Sequence, residues 1–379
     1  MLLQGIFWFC VCAIVYVYAG YPVIVRVLAR FAGKSIVRGP VRPTITVVIA
    51  AYNEERGIRA KLDNVTSLDY PPHLLDVIVT SDASSDATDA IVCAYEPLRV
   101  RLLRIEGRRG KTACQNIAVQ SAVGDVVVFT DATTRIESHA LIALAENFAD
   151  PAVGCVAGTL VYESTEHNQT GQGGAAYWNY ELGLRRAESA LGSLVGVSGC
   201  LYAVRRSAYR PIAPELISDF VIAMRLREQG LRTILDSEAV CFEASLEETA
   251  QELSMRVRVA VRSIHALVSE RRLLNPIRYG RYAWQLWSHK VLRYASPFFW
   301  IVALGTSLAL AARPLYLALF LLQLVLIAAG IAGFLLQPRT QSSTLLTKPY
   351  YFLLTNLASL LATLRYFTGE RIVTWKPIR

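Results

Sequence analysis

The sequence predicts an α/β domain built on a mostly parallel sheet and held between membrane helices. Three observations lead there. From Arg42 to about residue 250, apolar runs alternate with helix-compatible stretches, the rhythm of a sheet covered on both faces. Several of those runs, residues 45–50 and 126–129 among them, are unbroken rather than alternating, as in strands buried on both sides. The ends of the chain differ from its middle. Of 379 residues 53% are hydrophobic and 18% charged, and the charges gather centrally while long apolar runs occupy the two ends.

Residues 2–25 are apolar and uncharged, long enough to span a bilayer. A signal peptide would show a basic start, a shorter apolar core and a small-residue cleavage site. Here Arg26, Arg30, Lys34, Arg38 and Arg42 follow the run, with no acid among them. The positive-inside rule then puts the amino terminus outside and the following domain in the cytoplasm. Strands are expected at 45–50, 75–80, 100–105 and 126–130, and helices at 54–68, 87–95 and 112–122, with Asp86 as an N-cap. Residues 151–204, with Gly171, Gly173 and Gly174, read as β-rich with a mobile or helical insert. A helix is expected at 220–229.

After Glu252 the character changes. Arg256, Arg258 and Arg262 fall in a helix-compatible stretch. Residues 270–293 mix basic residues with Trp284 and Trp287, and Tyr294 follows, the composition of a segment lying in the membrane interface. Apolar runs follow at about 295–312 and 314–336, and a shorter one at 350–364. Four spans would carry the tail outside, whereas Arg365, Arg371, Lys376 and Arg379 favour inside. Residues 350–364 are therefore either a full span against the charge rule or a re-entrant or interfacial helix. The expected divisions are an amino-terminal transmembrane helix (1–28), a cytoplasmic catalytic domain (42–265), an interfacial segment (266–293), a carboxyl-terminal transmembrane region (294–368) and a tail (369–379).

The net charge of +9 suits an anionic membrane face and a phosphate-bearing substrate. No basic, aromatic-interleaved stripe lies outside the membrane flanks, so nucleic acid is not an expected partner. Seven cysteines include no CxxC pair and form neither a zinc spacing nor a disulfide framework. The five histidines show no ligand spacing and read as structural or superficial.

Four clusters lie at or just after expected strand ends. They are residues 51–55 (AYNEE), 81–88 (SDASSDAT), 130–133 (TDAT), and Arg108, Arg109, Gly110 and Lys111. In a parallel sheet these loops gather on one edge, where open α/β sheets bind ligands. That edge offers a ring and a carboxylate for a base, carboxylates for a ribose or metal, and cations for phosphates.

In TVVIAAYNEE, VIVTSDASSDAT, GKTACQN, FTDATT, SGCLYAVRR and ISDFVIAMRLREQG, the chain resembles the family 2 glycosyltransferases. These are inverting, membrane-associated enzymes with the GT-A fold, related to hyaluronan, chitin and cellulose synthases. The resemblance covers roughly residues 44–265 and implies a Rossmann-like GT-A domain. It implies that Tyr52 and Glu54 contact the nucleobase, Asp82 the base or ribose, and that Lys111 lies near the nucleotide; Arg256, Arg258 and Arg262 carry guanidinium groups suited to the diphosphate. Asp131, first position of the DxD motif, would hold nucleotide and metal, Mg2+ or Mn2+. Ser198, Gly199 and Cys200 would face the acceptor, with Gly199 allowing close approach to the backbone. Asp219 would be the general base that deprotonates the acceptor hydroxyl. Read from position alone, Asp219 is equally a helix N-cap, and the three arginines a solvated or lipid-facing basic helix.

The chain departs from the family pattern in places. Ser81 and Ala83 replace an Asp and a Gly, Ser218 replaces a Glu, and Thr133 replaces the second Asp of DxD. Met255 and Val259 stand where processive synthases carry the Gln and Trp of QxxRW. Glu243 matches a family position, with a structural ion pair as its expected role. The implied activity is transfer of one sugar, UDP-linked, from a nucleotide-sugar donor to a lipid-linked or polysaccharide acceptor, by an integral protein of the inner or plasma membrane in contact with membrane lipid. A processive synthase, or a non-catalytic nucleotide-sugar-binding subunit, are the alternatives.

Overall fold

The computed structural model describes residues 1–163, 169–244, 249–336 and 344–374. Helix α1 spans Leu2–Ala32, with one π turn at Tyr16–Gly20. The sheet is built from β1 (Ile45–Ala51), β2 (Leu75–Asp82), β3 (Val100–Ile105), β4 (Val126–Asp131), β5 (Arg135–Ile136), β6 (Val153–Glu163), β7 (Leu201–Arg205) and β8 (Arg232–Ala244). Between these strands run α2 (Ile58–Thr66), α3 (Thr88–Cys93), α4 (Lys111–Ser121), α5 (Ala140–Glu146), α6 (Gln169–Leu191) and α7 (Ser218–Glu228). Four helices close the chain: α8 (Thr249–Ser269), α9 (Arg281–Ala309), α10 (Pro314–Leu336) and α11 (Thr344–Phe367).

The strand order is β3-β2-β1-β4-β7-β6-β8-β5. The first four strands are parallel, as the unbroken apolar runs require, and β7 enters antiparallel to both β4 and β6. Successive side chains of a strand point to opposite faces. Val47, Ile49, Val126 and Val128 accordingly meet Ile58, Leu62 and Val65 of α2 on one side. Val48, Val127 and Phe129 meet Ala118 of α4 and Phe220 of α7 on the other. Burial on both faces is why these strands carry no polar alternation. Ala50 pairs with Asp131 and Ala51 with Ser81, so β2, β1 and β4 end level. That register brings three of the four clusters to one edge.

The stretch 151–204 resolves into β6, the 23-residue helix α6 and β7. Gly171, Gly173 and Gly174 lie within α6. Residues 164–168 of the expected insert lie outside the described residues.

Among the described residues, three helices are long and apolar enough to cross a membrane: α1, α9 and α10. The basic run after α1 is less free than its sequence suggests. Arg38 pairs with Glu146 and Glu238, and Arg42 with Glu146, so both help fasten the linker to the α/β domain. The expected interfacial segment 266–293 is divided between the end of α8, short helical turns at Arg271–Leu274 and Pro276–Tyr279, and the start of α9. Its Trp284 donates to the Tyr16 hydroxyl at 2.8 Å and packs edge-on against Tyr21. Beside it, His289 meets Glu188 at 2.7 Å and Glu181 at 2.9 Å, and Arg293 meets Glu181 at 2.9 Å. Tyr21 completes this buried network through its hydroxyl to Glu188. It joins α1, α6 and α9, and His289 has the structural role expected of it.

Helix α11, which contains 350–364, runs alongside α8 in the same direction. Tyr350, Tyr351 and Leu354 meet Leu253, Ala358 and Ala362 meet Val257 and Val261, and Tyr366 meets His265. The chain then continues along α8: the Glu370 carbonyl lies 2.9 Å from His265 Nε2, and Ile372 joins the α8–α11 apolar cluster. Lys376 and Arg379 lie outside the described residues.

Val373 reaches Gly110 at the start of α4. Gly110 has φ +87°, and a Cβ there would lie 2.3 Å from the Val373 carbonyl oxygen. Gly110→Ala should therefore lower the melting temperature through backbone strain of about 1–2 kcal/mol and also undock the tail. Gly107, at φ +71° with nothing within 4 Å of its Cβ position, separates the two effects. Gly107→Ala should show the strain alone. Trypsin cleavage at Arg371 should accelerate in the Gly110 variant and not in the Gly107 variant.

Candidate active site

Asp131 is the last residue of β4, and the turn Ala132–Thr134 leaves the sheet directly above it. Its carboxylate bonds the ammonium of Lys111, the first residue of α4. The pair is about a quarter exposed and so opens on a cleft. Burial works against the Lys111 charge, but the bond to Asp131 and the nearby Asp219 prevail and raise its pKa.

One strand beyond β1, Asp82 ends β2 and is wholly buried. Its carboxylate accepts from Arg109 N at 2.7 Å, Gly110 N at 3.1 Å and Arg108 Nε at 3.2 Å. Asp82 thus holds the loop that delivers Lys111, and its oxygens are engaged by protein donors. The Arg108 guanidinium also lies 3.2 Å from the centre of the Tyr52 ring. The loops carrying Tyr52 and Glu54 are laced to residues 84–88: Asn53 N donates to Ser84 Oγ, Glu54 N to Thr88 Oγ1, and Glu55 N to Asp86. Asp86 accepts from Thr88 N at 3.0 Å but is not the N-cap expected of it: Ala87 holds that position and no side chain caps the helix. Ala83, standing where the family has glycine, adopts φ +58°, a conformation that costs a residue with a Cβ about 1–2 kcal/mol.

Asp219 does not cap its helix. Helix α7 begins at Ser218, Ile217 is the N-cap and no side chain caps it, so Asp219 lies inside the first turn. Its carboxylate faces Gly199. A Cβ built on Gly199 would lie 3.1 Å from Asp219 Oδ2, 3.1 Å from Lys111 Nζ and 3.8 Å from Asp131 Oδ2. The absence of a side chain at 199 is what leaves these three groups a common space. Burial and the Asp131 charge raise the Asp219 pKa, opposed by Lys111 and Arg262. Ser198 and Cys200 flank that space, and Cys200 N points to Ser198 Oγ at 3.5 Å.

The arginines of α8 divide. Arg256 is tied to Glu252. Arg262 is buried and donates to Thr112 Oγ1 at 2.9 Å and to the carbonyls of Leu216 (2.6 Å) and Pro214 (3.2 Å). Burial lowers its pKa to about 10. It braces the segment before α7, and so the position of Asp219. Arg258 is half-buried within electrostatic range of Asp131. Glu243 makes no ion pair among the described residues, contrary to its expected role. It accepts from Thr133 Oγ1 and from the Cys200 thiol, each at 3.2 Å.

Lys61 was not singled out by the sequence. It sits on α2 inside an otherwise apolar face, buried to 3% exposure. Its ammonium donates to Thr130 Oγ1 at 2.8 Å and to the Thr134 carbonyl at 2.5 Å, clamping the turn around Asp131 from below. A lysine at a core-facing helical position was the only available signal. Burial lowers its pKa to about 7, against the pull of Asp131.

The donor set suits a small divalent cation. Asp131 faces the cleft and already holds a positive group, the Lys111 ammonium, and Mg2+ or Mn2+ needs only one or two protein carboxylates when substrate phosphates complete its shell.

A parallel-edge cleft combining carboxylates, a lysine and a bare glycine defines a nucleotide-binding α/β domain of transferase type. Residues 46–212 match the family model Glycosyl transferase family 2. This portion of the chain is a family 2 glycosyltransferase domain. Across 170 residues the chain is 26% identical to a beta-monoglucosyldiacylglycerol synthase of Trichormus variabilis, covering 44% of this chain and 36% of that protein. Across 223 residues it is 26% identical to a poly-beta-1,6-N-acetyl-D-glucosamine synthase of Staphylococcus aureus, covering 57% and 53%. The chain thus spans about a third to a half of the length of these relatives. A mannosyltransferase from Pyrobaculum calidifontis, solved with GDP-Man and Mn2+, matches the structure with TM-score 0.74 and 24% identity, covering 97% of this chain and all of that one. That likeness establishes the GT-A fold.

The buried lysine generates a pH signature. Its folded pKa is depressed to about 7 from 10.5, so between these values the unfolded chain binds more protons and stability rises with pH. Lys61→Met removes this contribution. Relative to wild type, the variant should lose melting temperature progressively as pH rises from about 7 to 10. A constant difference across that range would refute the buried, depressed lysine.

Proposed function

We propose that the chain is an inverting glycosyltransferase that moves one sugar from a UDP-linked donor to a membrane-associated acceptor, lipid-linked or polysaccharide. The observation that carries this reading is the meeting of Asp219, Lys111 and Asp131 around Gly199. Inversion by direct displacement needs a base on the acceptor side of the anomeric carbon and positive charge on the leaving-group side. The cleft offers both.

In this reading the donor lies along the carboxyl edge of β2, β1 and β4. Tyr52, Glu54 and Asp82 form the nucleoside end, and Arg108 shifts to admit the base. Lys111 and Arg258 meet the diphosphate, whereas Arg262 serves the site by bracing the approach to Asp219. A divalent cation bound at Asp131 would supply charge neutralisation on the leaving diphosphate. The acceptor hydroxyl enters over Ser198, Gly199 and Cys200. Asp219 accepts its proton as the new glycosidic bond forms and the bond to the diphosphate oxygen breaks. A raised pKa suits this task, because a more basic carboxylate is a better proton acceptor.

The membrane helices support an acceptor anchored in lipid, and the basic residues 26–42 support a cytoplasmic domain at the inner or plasma membrane. Val259 is exposed on α8 where a processive synthase has a tryptophan, which favours single transfer over polymerisation.

Asp219→Asn should leave UDP binding near wild type and slow transfer by about 10²–10⁴-fold. Asp131→Ala should lose both binding and transfer. Calorimetry with UDP, paired with nucleotide release from a panel of UDP-sugars in nanodiscs, separates the two. Wild-type transfer should also fall as pH drops through the Asp219 pKa, which burial raises from its ordinary value, because a protonated carboxyl cannot act as base. Normal turnover by Asp219→Asn would remove the base assignment.

A further inference from the structure

We infer that Glu243 supplies the second protein carboxylate of the cation site, in place of the one missing at Thr133. The inference rests on the proposed binding of a nucleoside diphosphate and adds a residue to that site. The second position of the DxD pattern is a threonine here, which leaves Asp131 as the sole acid on the turn. Thr133 Oγ1 nevertheless points at a carboxylate, since it donates to Glu243 Oε1 at 3.2 Å. That acid stands on the neighbouring strand β8, one residue beyond the Phe242 that pairs with Arg135.

The surroundings of Glu243 call for a positive partner. Both its oxygens accept, but only from a hydroxyl and a thiol, and no lysine or arginine lies within ion-pair distance among the described residues. A half-buried carboxylate with neutral donors and another acid nearby is poorly compensated. The nearest ammonium groups are engaged elsewhere: Lys111 on Asp131, and Lys61 on Thr130 and the Thr134 carbonyl. A divalent ion between Asp131 and Glu243 would supply the missing charge. Hard oxygen donors are the ligands such ions take, with diphosphate oxygens and water completing the shell. Lys61 then has a defined part, as a positioning residue that holds the turn carrying Asp131 at a fixed height beside β8.

The test reads metal binding directly. Full-length protein in nanodiscs is titrated with Mn2+ and followed by electron paramagnetic resonance, with UDP present and, in a parallel series, GDP. UDP and GDP binding without metal is measured by calorimetry. The proteins are wild type, E243Q, T133D and the double variant T133D/E243Q. Glutamine keeps the shape of the side chain and one acceptor oxygen, while its amide nitrogen donates where the second oxygen accepted, and the double variant guards against a merely misfolded E243Q.

The expected result is that E243Q weakens Mn2+ binding by at least about tenfold and leaves metal-free nucleotide binding unchanged. T133D/E243Q should recover most of the loss, because it returns the carboxylate to the turn. Mn2+ affinity of E243Q within about twofold of wild type, or no recovery in the double variant, would overturn the assignment while leaving the transferase reading intact. A wild-type protein that binds neither UDP nor GDP would remove both.

Discussion

The buried carboxylate of Asp82 is the constraint on which the cleft depends. It closes β2 and gathers two consecutive backbone N–H groups, those of Arg109 and Gly110, together with the Arg108 guanidinium. An acid taken fully out of water is tolerated only when its oxygens are saturated by donors, and this loop provides them. The consequence appears at the next residue. With Gly110 held down at φ +87°, α4 begins at Lys111 and its ammonium is delivered to Asp131, two strands away. The spacing between Asp82 and the Lys111–Asp131 pair is therefore set by covalent neighbours in a short loop, clamped on one side by Asp82 and covered on the other by Val373.

From that arrangement the electrostatics of the acceptor side follow. Asp219 stands near three cations, Lys111, Arg262 and Lys290, and one anion, Asp131, and burial decides the balance, leaving its pKa raised. Arg262 belongs to this balance as well as to the packing. Its guanidinium, bound to backbone carbonyls ahead of α7, fixes the helix start and contributes positive charge to Asp219 without a direct bond. A cation bonded directly to Asp219 would stabilise its charged form and make it a weaker base. Held at one remove, it orients the helix and leaves the carboxylate free to take a proton.

The parallel half of the sheet was legible because unbroken runs such as VVVF leave no other way to bury both faces. The strand-end clusters were legible because parallel strands put their loops on one edge. The antiparallel entry of β7 was not, since a five-residue apolar strand carries no mark of direction. Lys61 was missed and Glu243 misread for a related reason. Their roles depend on partners 69 and 110 residues away, Thr130 and Thr133, and local pattern says nothing about such pairings. Asp219 illustrates the opposite case: both readings of its position, cap and base, were open in the sequence. The structure removes the cap by starting the helix one residue before it. Ala83 shows how a departure from the family pattern is absorbed, by retaining the left-handed turn at a cost in strain rather than by changing the loop.

The carboxyl-terminal segment stays in contact with the α/β domain. The sequence presents four apolar segments, and an even number of crossings would part the tail from the α/β domain. The tail is in contact with that domain, through Glu370 to His265 and Val373 to Gly110. Were α9 and α10 both to cross a membrane, the chain would be back on the side of the α/β domain before α11 begins. A further complete crossing by α11 would break those contacts. The pairing of α11 with α8 along its length accounts for the polar residues that keep its composition below that of α9 and α10: Asn356, Ser359 and Thr363 bond within the helix while its small residues meet α8. The same pairing ties α11, through Ile372 and Val373, to the loop that carries Lys111. Displacement of α11 along α8 would be transmitted to the diphosphate end of the cleft through those two residues, with no need for the sheet to move.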